Sequence, residues 1–113
     1  MESKDPWEQV SNLNEALHAP IRIAILLYLL PKTHAKFSSI QRALNVTAGN
    51  LSSHLKKLSG EKFIEIEKVF VEDKPVTIIY ITANGIRSIQ GYAKILNEAM
   101  KSNDSQNDQI DQD

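Results

Sequence analysis

TAGNLSSHLKKL, residues 47–58, is the stretch on which the reading of the whole chain turns. At about 100° per residue on a helical wheel, Leu51, Leu55 and Leu58 fall within one narrow arc. Gly49, Asn50, Ser53, Lys56 and Lys57 fall on the far side. Thr47 precedes the run as a cap, its hydroxyl offered to an unpaired first-turn amide. The leucines lock such a helix to its neighbours and leave an outer face that is small, hydrogen-bonding and free of acid. That face suits the major groove of duplex DNA, where bulky or anionic side chains clash or are repelled.

Three helices are expected before this one. Asp5-Pro6-Trp7-Glu8 is a helix start, and Trp7, Val10, Leu13 and Leu17 form one amphipathic stripe behind it. Pro20 opens a second helix whose apolar residues run nearly all round to Leu30, and Pro31 is expected to stop it. Ser38 begins a short third helix with Ile40, Ala43 and Leu44 inward, and Asn45-Val46 makes a tight connection to Thr47. Beyond the quoted helix, Phe63–Val71 and Val76–Ile81 are rich in β-branched and aromatic residues. Glu72-Asp73-Lys74-Pro75 between them is a turn signal, so the pair predicts a hairpin. Thr82-Ala83-Asn84-Gly85 starts a last helix carrying Ile86, Ile89, Tyr92, Ala93, Leu96 and Met100 on one side. The predicted class is mainly α with a small β-hairpin (α+β): a winged helix-turn-helix with additional N- and C-terminal helices for dimerisation.

Charge agrees with a polyanionic partner. From Lys32 to Gly60 there are five basic residues and no acidic one, although the net charge of the 113-residue chain is -1. The segment SNDSQNDQIDQD is expected to be a disordered acidic tail, which makes residues 1–101 a single domain and 102–113 the tail. There is no cysteine, hence no disulfide, thiolate site or cysteine nucleophile. The run IAILLYLL is far shorter than the roughly 20 residues needed to cross a bilayer. MESKDPWEQ lacks the apolar core of a signal peptide, and a cytoplasmic protein with no membrane partner is expected.

Several separated motifs then carry a resemblance. TAGNLSSHLKKL, KFIEIEK, IYITANG and the upstream LHAPIRIAIL resemble, in order, the winged-helix transcriptional regulators of the ArsR/MarR-like group, over roughly residues 13–96. The subset with T-x-G-N-L-S-x-H-L on its recognition helix is the most similar. The resemblance implies a recognition helix at Thr47–Ser59, a wing around Val71–Val76, and a dimer in which first and last helices pack across a two-fold axis. Two departures accompany it. Lys62 stands where the group usually carries glycine, with Gly60 an alternative holder of a left-handed conformation. The cysteine-rich ligand sets of metal-sensing members are absent, so neither a metal nor a cofactor is expected.

Candidate DNA-binding residues are Ser38, Ser39, Thr47, Gly49, Asn50, Ser52, Ser53, Lys56, Lys57, Lys68 and Lys74. Asn50 suits a base edge, adenine by preference, and Ser53 any base or a phosphate. Lys56 and Lys57 suit phosphates. Ser38 and Ser39 offer a helix N-terminus to a phosphate or simply cap it. Gly49 serves either close helix packing or close approach to DNA, and Asn50 has the alternative of a capping partner for Thr47. His54 flanks the buried arc and reads as a packed or phosphate-bonded histidine. Lys68 and Lys74 are wing contacts, while Glu72 and Asp73 argue against deep insertion. Trp7, Val10, Leu13, Leu17, Ile89, Tyr92, Leu96 and Met100 are the candidate dimer residues, since a domain this size has little else to cover them. The expected function is a homodimeric, sequence-specific regulator of transcription on double-stranded DNA. A winged-helix protein-interaction module and a weakly specific architectural DNA binder are the alternatives. No glycine-rich phosphate loop or clustered acid pair points to an enzyme, and no small-molecule effector is identifiable.

Overall fold

The computed structural model describes residues 5–107. The Asp5 carboxylate accepts the Trp7 N–H at 3.0 Å and caps α1 (Pro6–Ser11). The expected continuation to Leu17 is interrupted. Asn14 accepts the Ala16 N–H at 2.7 Å on its side chain and starts a separate 3₁₀ turn, Glu15–Leu17. Asparagine competes with helices in this way, by bonding to nearby backbone. The break carries Leu17 away from the Trp7 stripe and into the core, where it is buried.

Helix α2 (Pro20–Lys32) buries Ile25, Leu26 and Leu29 completely. Pro31 does not stop it. Proline forfeits only its own backbone bond and disturbs the preceding turn, and the helix closes two residues later as the Thr33 N–H reaches the Leu29 carbonyl at 2.7 Å. Nor is α2 covered all round, since Leu27 is exposed. A short strand follows that the expected hairpin did not include: β1 (His34–Lys36) pairs antiparallel with β3, His34 opposite Tyr80. Its length, 3 residues, is too short to show an alternating pattern.

Helix α3 (Phe37–Leu44) turns Ile40 and part of Leu44 inward, whereas Ala43 is exposed. The inward arc is shared by Phe37, Ile40 and Leu44, and Ala43 lies off its edge at helical spacing. Asn45, left-handed at φ 55°, ends the helix. Helix α4 (Ala48–Gly60) buries Leu51, Leu55 and Leu58, as its wheel requires.

The end of α4 resolves the choice between Gly60 and Lys62. Lys62 takes φ 63°, and no glycine has a positive φ. The Phe63 N–H reaches the Leu58 carbonyl at 3.0 Å and the Lys62 N–H the Ser59 carbonyl at 2.9 Å, the paired bonds of a Schellman cap. A Cβ in that region costs about 1 kcal/mol. Lys62→Gly is therefore expected to stabilise the fold by up to about 1 kcal/mol, the gain being trimmed by glycine's larger unfolded-state entropy. A thermal melt showing no rise in midpoint would refute this reading of the cap.

Strands β2 (Ile64–Val71) and β3 (Lys74–Ile81) form the wing, and the sheet order is β1-β3-β2. The turn is shorter than expected. Glu72 and Asp73 alone form it, at φ 52° and 65°, the pair of positive values a two-residue type I′ hairpin needs. Lys74 and Pro75 belong to β3, with Pro75 opposite Phe70. Proline is tolerated there because β1 reaches only as far as Ile78, so the side of β3 away from β2 has no strand at that level.

Thr82 then starts α5 (Ala83–Asn107), accepting the Gly85 N–H at 3.0 Å. The helix continues past Ser102, where the acidic tail was expected to begin; extending an existing helix costs far less than nucleating one. Residues 108–113 of that tail lie outside the described residues. α1 packs on α5, and Ile89 is buried in the main core with Leu26, Leu29 and Phe63. Ile89 and Leu17, both expected at a dimer interface, thus belong to the chain's own interior.

Candidate nucleic-acid interface

Thr47 sits in an extended conformation and accepts the Asn50 N–H on its hydroxyl at 3.1 Å, fixing the first turn of α4. With the leucines buried, Gly49, Asn50, Ser52, Ser53 and Lys56 are all exposed. Asn50 uses its backbone for the cap, and its side-chain amide makes no hydrogen bond among the described residues. Its donor and acceptor are free for an external partner. Gly49 is equally informative. A methyl group there would meet nothing within 4 Å, so helix packing does not require glycine at this position. What the missing side chain leaves is space on the outer surface.

Ser38 and Ser39 lie in the first turn of α3, Ser38 exposed and Ser39 half-buried. The capping alternative fails for both, because the residue at the cap position is Lys36 and no side chain bonds to the helix amides. No side chain claims those amides, which lie at the positive end of the helix.

The wing lysines separate. Side chains alternate across a strand, and Lys68 shares its face with Ile64, Ile66 and Phe70, the face turned toward α4. Ser52, Lys56, Lys68 and Thr77 line one groove of about 700 Å³ between α4 and the wing, floored by Leu55, Ile66 and Phe37. Lys74 has the opposite parity, pairs with Val71 and points to the other side of the ribbon with Glu65 and Glu67. Lys57 is also diverted. Its ammonium lies 3.4 Å from the Glu15 carboxylate, and close by Asn14 donates to Glu61 at 3.0 Å. These two exposed contacts tie the C-terminal end of α4 to the 3₁₀ turn and carry little energy individually.

His54 is packed, as expected of a histidine on the flank of the leucine arc. Its Nδ1 is buried without a hydrogen-bond partner among the described residues. Burial, and secondarily the Arg22 guanidinium, lowers its pKa from the ordinary 6.5, so the fold holds the neutral ring. Arg22 is itself anchored through its Nε to the Ala16 carbonyl at 2.7 Å. Among the described residues no group of histidine, aspartate and glutamate could hold a metal ion, and no helix is long and apolar enough to cross a membrane.

On the terminal helices Trp7, Leu96 and Met100 remain exposed, Val10 and Leu13 are half-buried, and Tyr92 packs partly against the core. Sequence alone did not single out Phe70, which is 77% exposed. Its parity with the buried Ile64 was readable, but the side of the ribbon facing α4 was not.

A capped three-leucine helix set behind α2 and α3, beside a two-stranded wing, defines a winged-helix DNA-binding protein. The family described as winged helix DNA-binding domain matches residues 21–100, and the chain belongs to it. An uncharacterized protein of Methanocaldococcus jannaschii is 36% identical over 72 residues, 64% of this chain and 78% of that one. The transcriptional regulator homologue protein from Pyrococcus horikoshii OT3 is similar at TM-score 0.81 and 30% identity, over 88% of this chain and 97% of that chain. MarR-family regulators share the fold. MepR of Staphylococcus aureus, solved in complex with DNA, matches at TM-score 0.62 and 18% identity over 95% of this chain and 82% of that chain.

Proposed function

We propose that the chain is a homodimeric transcriptional regulator that reads double-stranded DNA sequence-specifically, inserting α4 into the major groove. One observation carries the proposal: the outer face of α4 is exposed and acid-free, and its Asn50 amide is uncommitted. Asn50 and Ser53 read base edges, and Thr47 and Ser52 border them. Lys56, Lys68 and the α3 amides at Ser38 and Ser39 hold phosphates. Lys57, engaged with Glu15, contributes less than Lys56. The exposed Trp7, Leu96 and Met100, with Val10, Leu13 and Tyr92 beside them, are the surface offered to a second copy. Two recognition helices then lie about 34–36 Å apart and read a pseudo-palindrome on one face of the duplex.

The test is selection from a random duplex pool, followed by salt titrations of variants on the recovered site. Asn50→Ala is expected to cost about 1–3 kcal/mol at particular base pairs and little at others. Lys56→Gln weakens all sequences alike and lowers the salt slope by about one unit. Gly49→Ala separates fold from binding, gaining up to about 1 kcal/mol of helix stability while losing DNA affinity. A pool that enriches nothing points to an architectural binder. No binding to duplex DNA at low salt points to a protein-interaction module and overturns the proposal.

A further inference from the structure

We propose that the wing grips DNA through an apolar contact, with Phe70, backed by Pro75, packing into the minor groove next to the major groove occupied by α4. The proposal rests on the DNA-binding reading and specifies a second point of contact for it. Phe70 is the most exposed large apolar side chain among the described residues, at 77%, and does nothing for the chain's own core. The register explains its setting. From core to tip, the face of the ribbon turned toward α4 carries the opposed pairs Ile66–Ile79, Lys68–Thr77 and Phe70–Pro75. Val71 and Lys74 close the two-residue turn and form a hydrogen-bonded pair, so Phe70 and Pro75 fall at the next, non-hydrogen-bonded position. Side chains approach one another most closely at such positions. Pro75 therefore stiffens and backs the aromatic ring.

Distance and charge select the occupant. Strand rise places Phe70 about 13 Å beyond Ile66 along the ribbon, comparable to the width of the major groove, about 12 Å. With α4 seated in that groove, the ribbon crosses one phosphate strand near Lys68 and arrives over the neighbouring minor groove at Phe70. The groove lined by Ser52, Lys56 and Lys68 makes the surface continuous from helix to wing. Apolar side chains, phenylalanine and proline among them, are what minor-groove binders set against sugars and base steps. Glu72 and Asp73, at the turn, repel phosphates head-on, so contact is made by the face of the ribbon and not by its end. A binding step paid in apolar contact and DNA deformation favours flexible pyrimidine–purine or A·T-rich steps under the wing.

The deciding experiment compares wild type, Phe70→Ala, Phe70→Leu and Lys68→Gln by fluorescence anisotropy across a salt series. Two probes are used, the duplex selected from a random pool and an unselected duplex, with sedimentation of each free protein alongside. Phe70→Ala is expected to weaken binding about tenfold at every salt concentration without changing the salt slope, and Phe70→Leu to recover part of the loss. Lys68→Gln should lower the slope by about one unit. Unchanged affinity for Phe70→Ala, while wild type binds, overturns the wing contact and leaves the DNA-binding reading standing. A changed slope for Phe70→Ala also overturns it, since the loss would then be electrostatic. So does a changed molecular mass with unchanged DNA affinity, which would make the tip a contact between copies. Failure of wild type to bind either duplex removes both readings together.

Discussion

Gly85→Ala is expected to destabilise the fold by about 3 kcal/mol, at or beyond the upper end of the usual overpacking cost. The first turn of α5 crosses directly over the end of α4. Thr82 donates its hydroxyl to the Lys62 carbonyl at 2.7 Å and its N–H to the Phe63 carbonyl at 3.0 Å. Gly85 follows in the same turn, and a methyl group built on it would overlap the Phe63 carbonyl oxygen. It would also come within 2.9 Å of the Ile81 side chain. A backbone carbonyl cannot swing aside as a side-chain end can, so either α5 or the Schellman segment must move. Movement of α5 also displaces the Leu96 and Met100 surface relative to α4, so DNA affinity should fall even where the variant remains folded. Urea denaturation is the measurement. A midpoint matching wild type would show that the two backbones are not held this closely.

The second large effect is expected at the recognition helix itself. Leu51→Ala should cost about 2–5 kcal/mol, the range for truncating a fully buried leucine. Leu51 is completely buried among the residues that join α4 to the core, and no polar contact can substitute for it. Against a typical stability of about 5–15 kcal/mol, that is a large fraction. Because Leu51 lies one residue after the exposed Asn50 and is itself buried, its loss should loosen the proposed DNA-reading surface without removing any group proposed to touch DNA. Denaturation should show the lower midpoint. Binding assayed with the folded fraction held constant should show an affinity loss spread over all base pairs, unlike the position-specific loss for Asn50→Ala. A loss confined to one base pair would contradict this account.

The legible parts of this protein share a local origin. Thr47, Asp5 and Thr82 cap helices because a short side-chain oxygen reaches an amide two or three residues away. The outer face of α4 follows from helical period once the leucines are assigned to the inside. Gly49 resisted assignment, since a glycine looks the same whether a neighbouring helix or open space lies above it, and only coordinates found open space. Lys57 shares the outer side of the wheel with Lys56, and Lys74 shares the hairpin with Lys68. Glu15 draws off Lys57 and strand parity turns Lys74 away.

The amino-acid sequence by itself determined the caps at Asp5, Thr47 and Thr82, the buried seam of α4, the wing strands and the acid-free outer surface. Each of these depends on spacing along a short segment, where period and capping chemistry act. Tertiary structure alone decided that Leu17 and Ile89 serve the chain's own core, that Lys62 and not Gly60 takes the left-handed position, and that β1 completes the sheet. It also decided which wing residues stand beside α4. These depend on partners distant in sequence, because an apolar side chain carries no mark of which surface will cover it, and a short strand is defined only by the strand it pairs with.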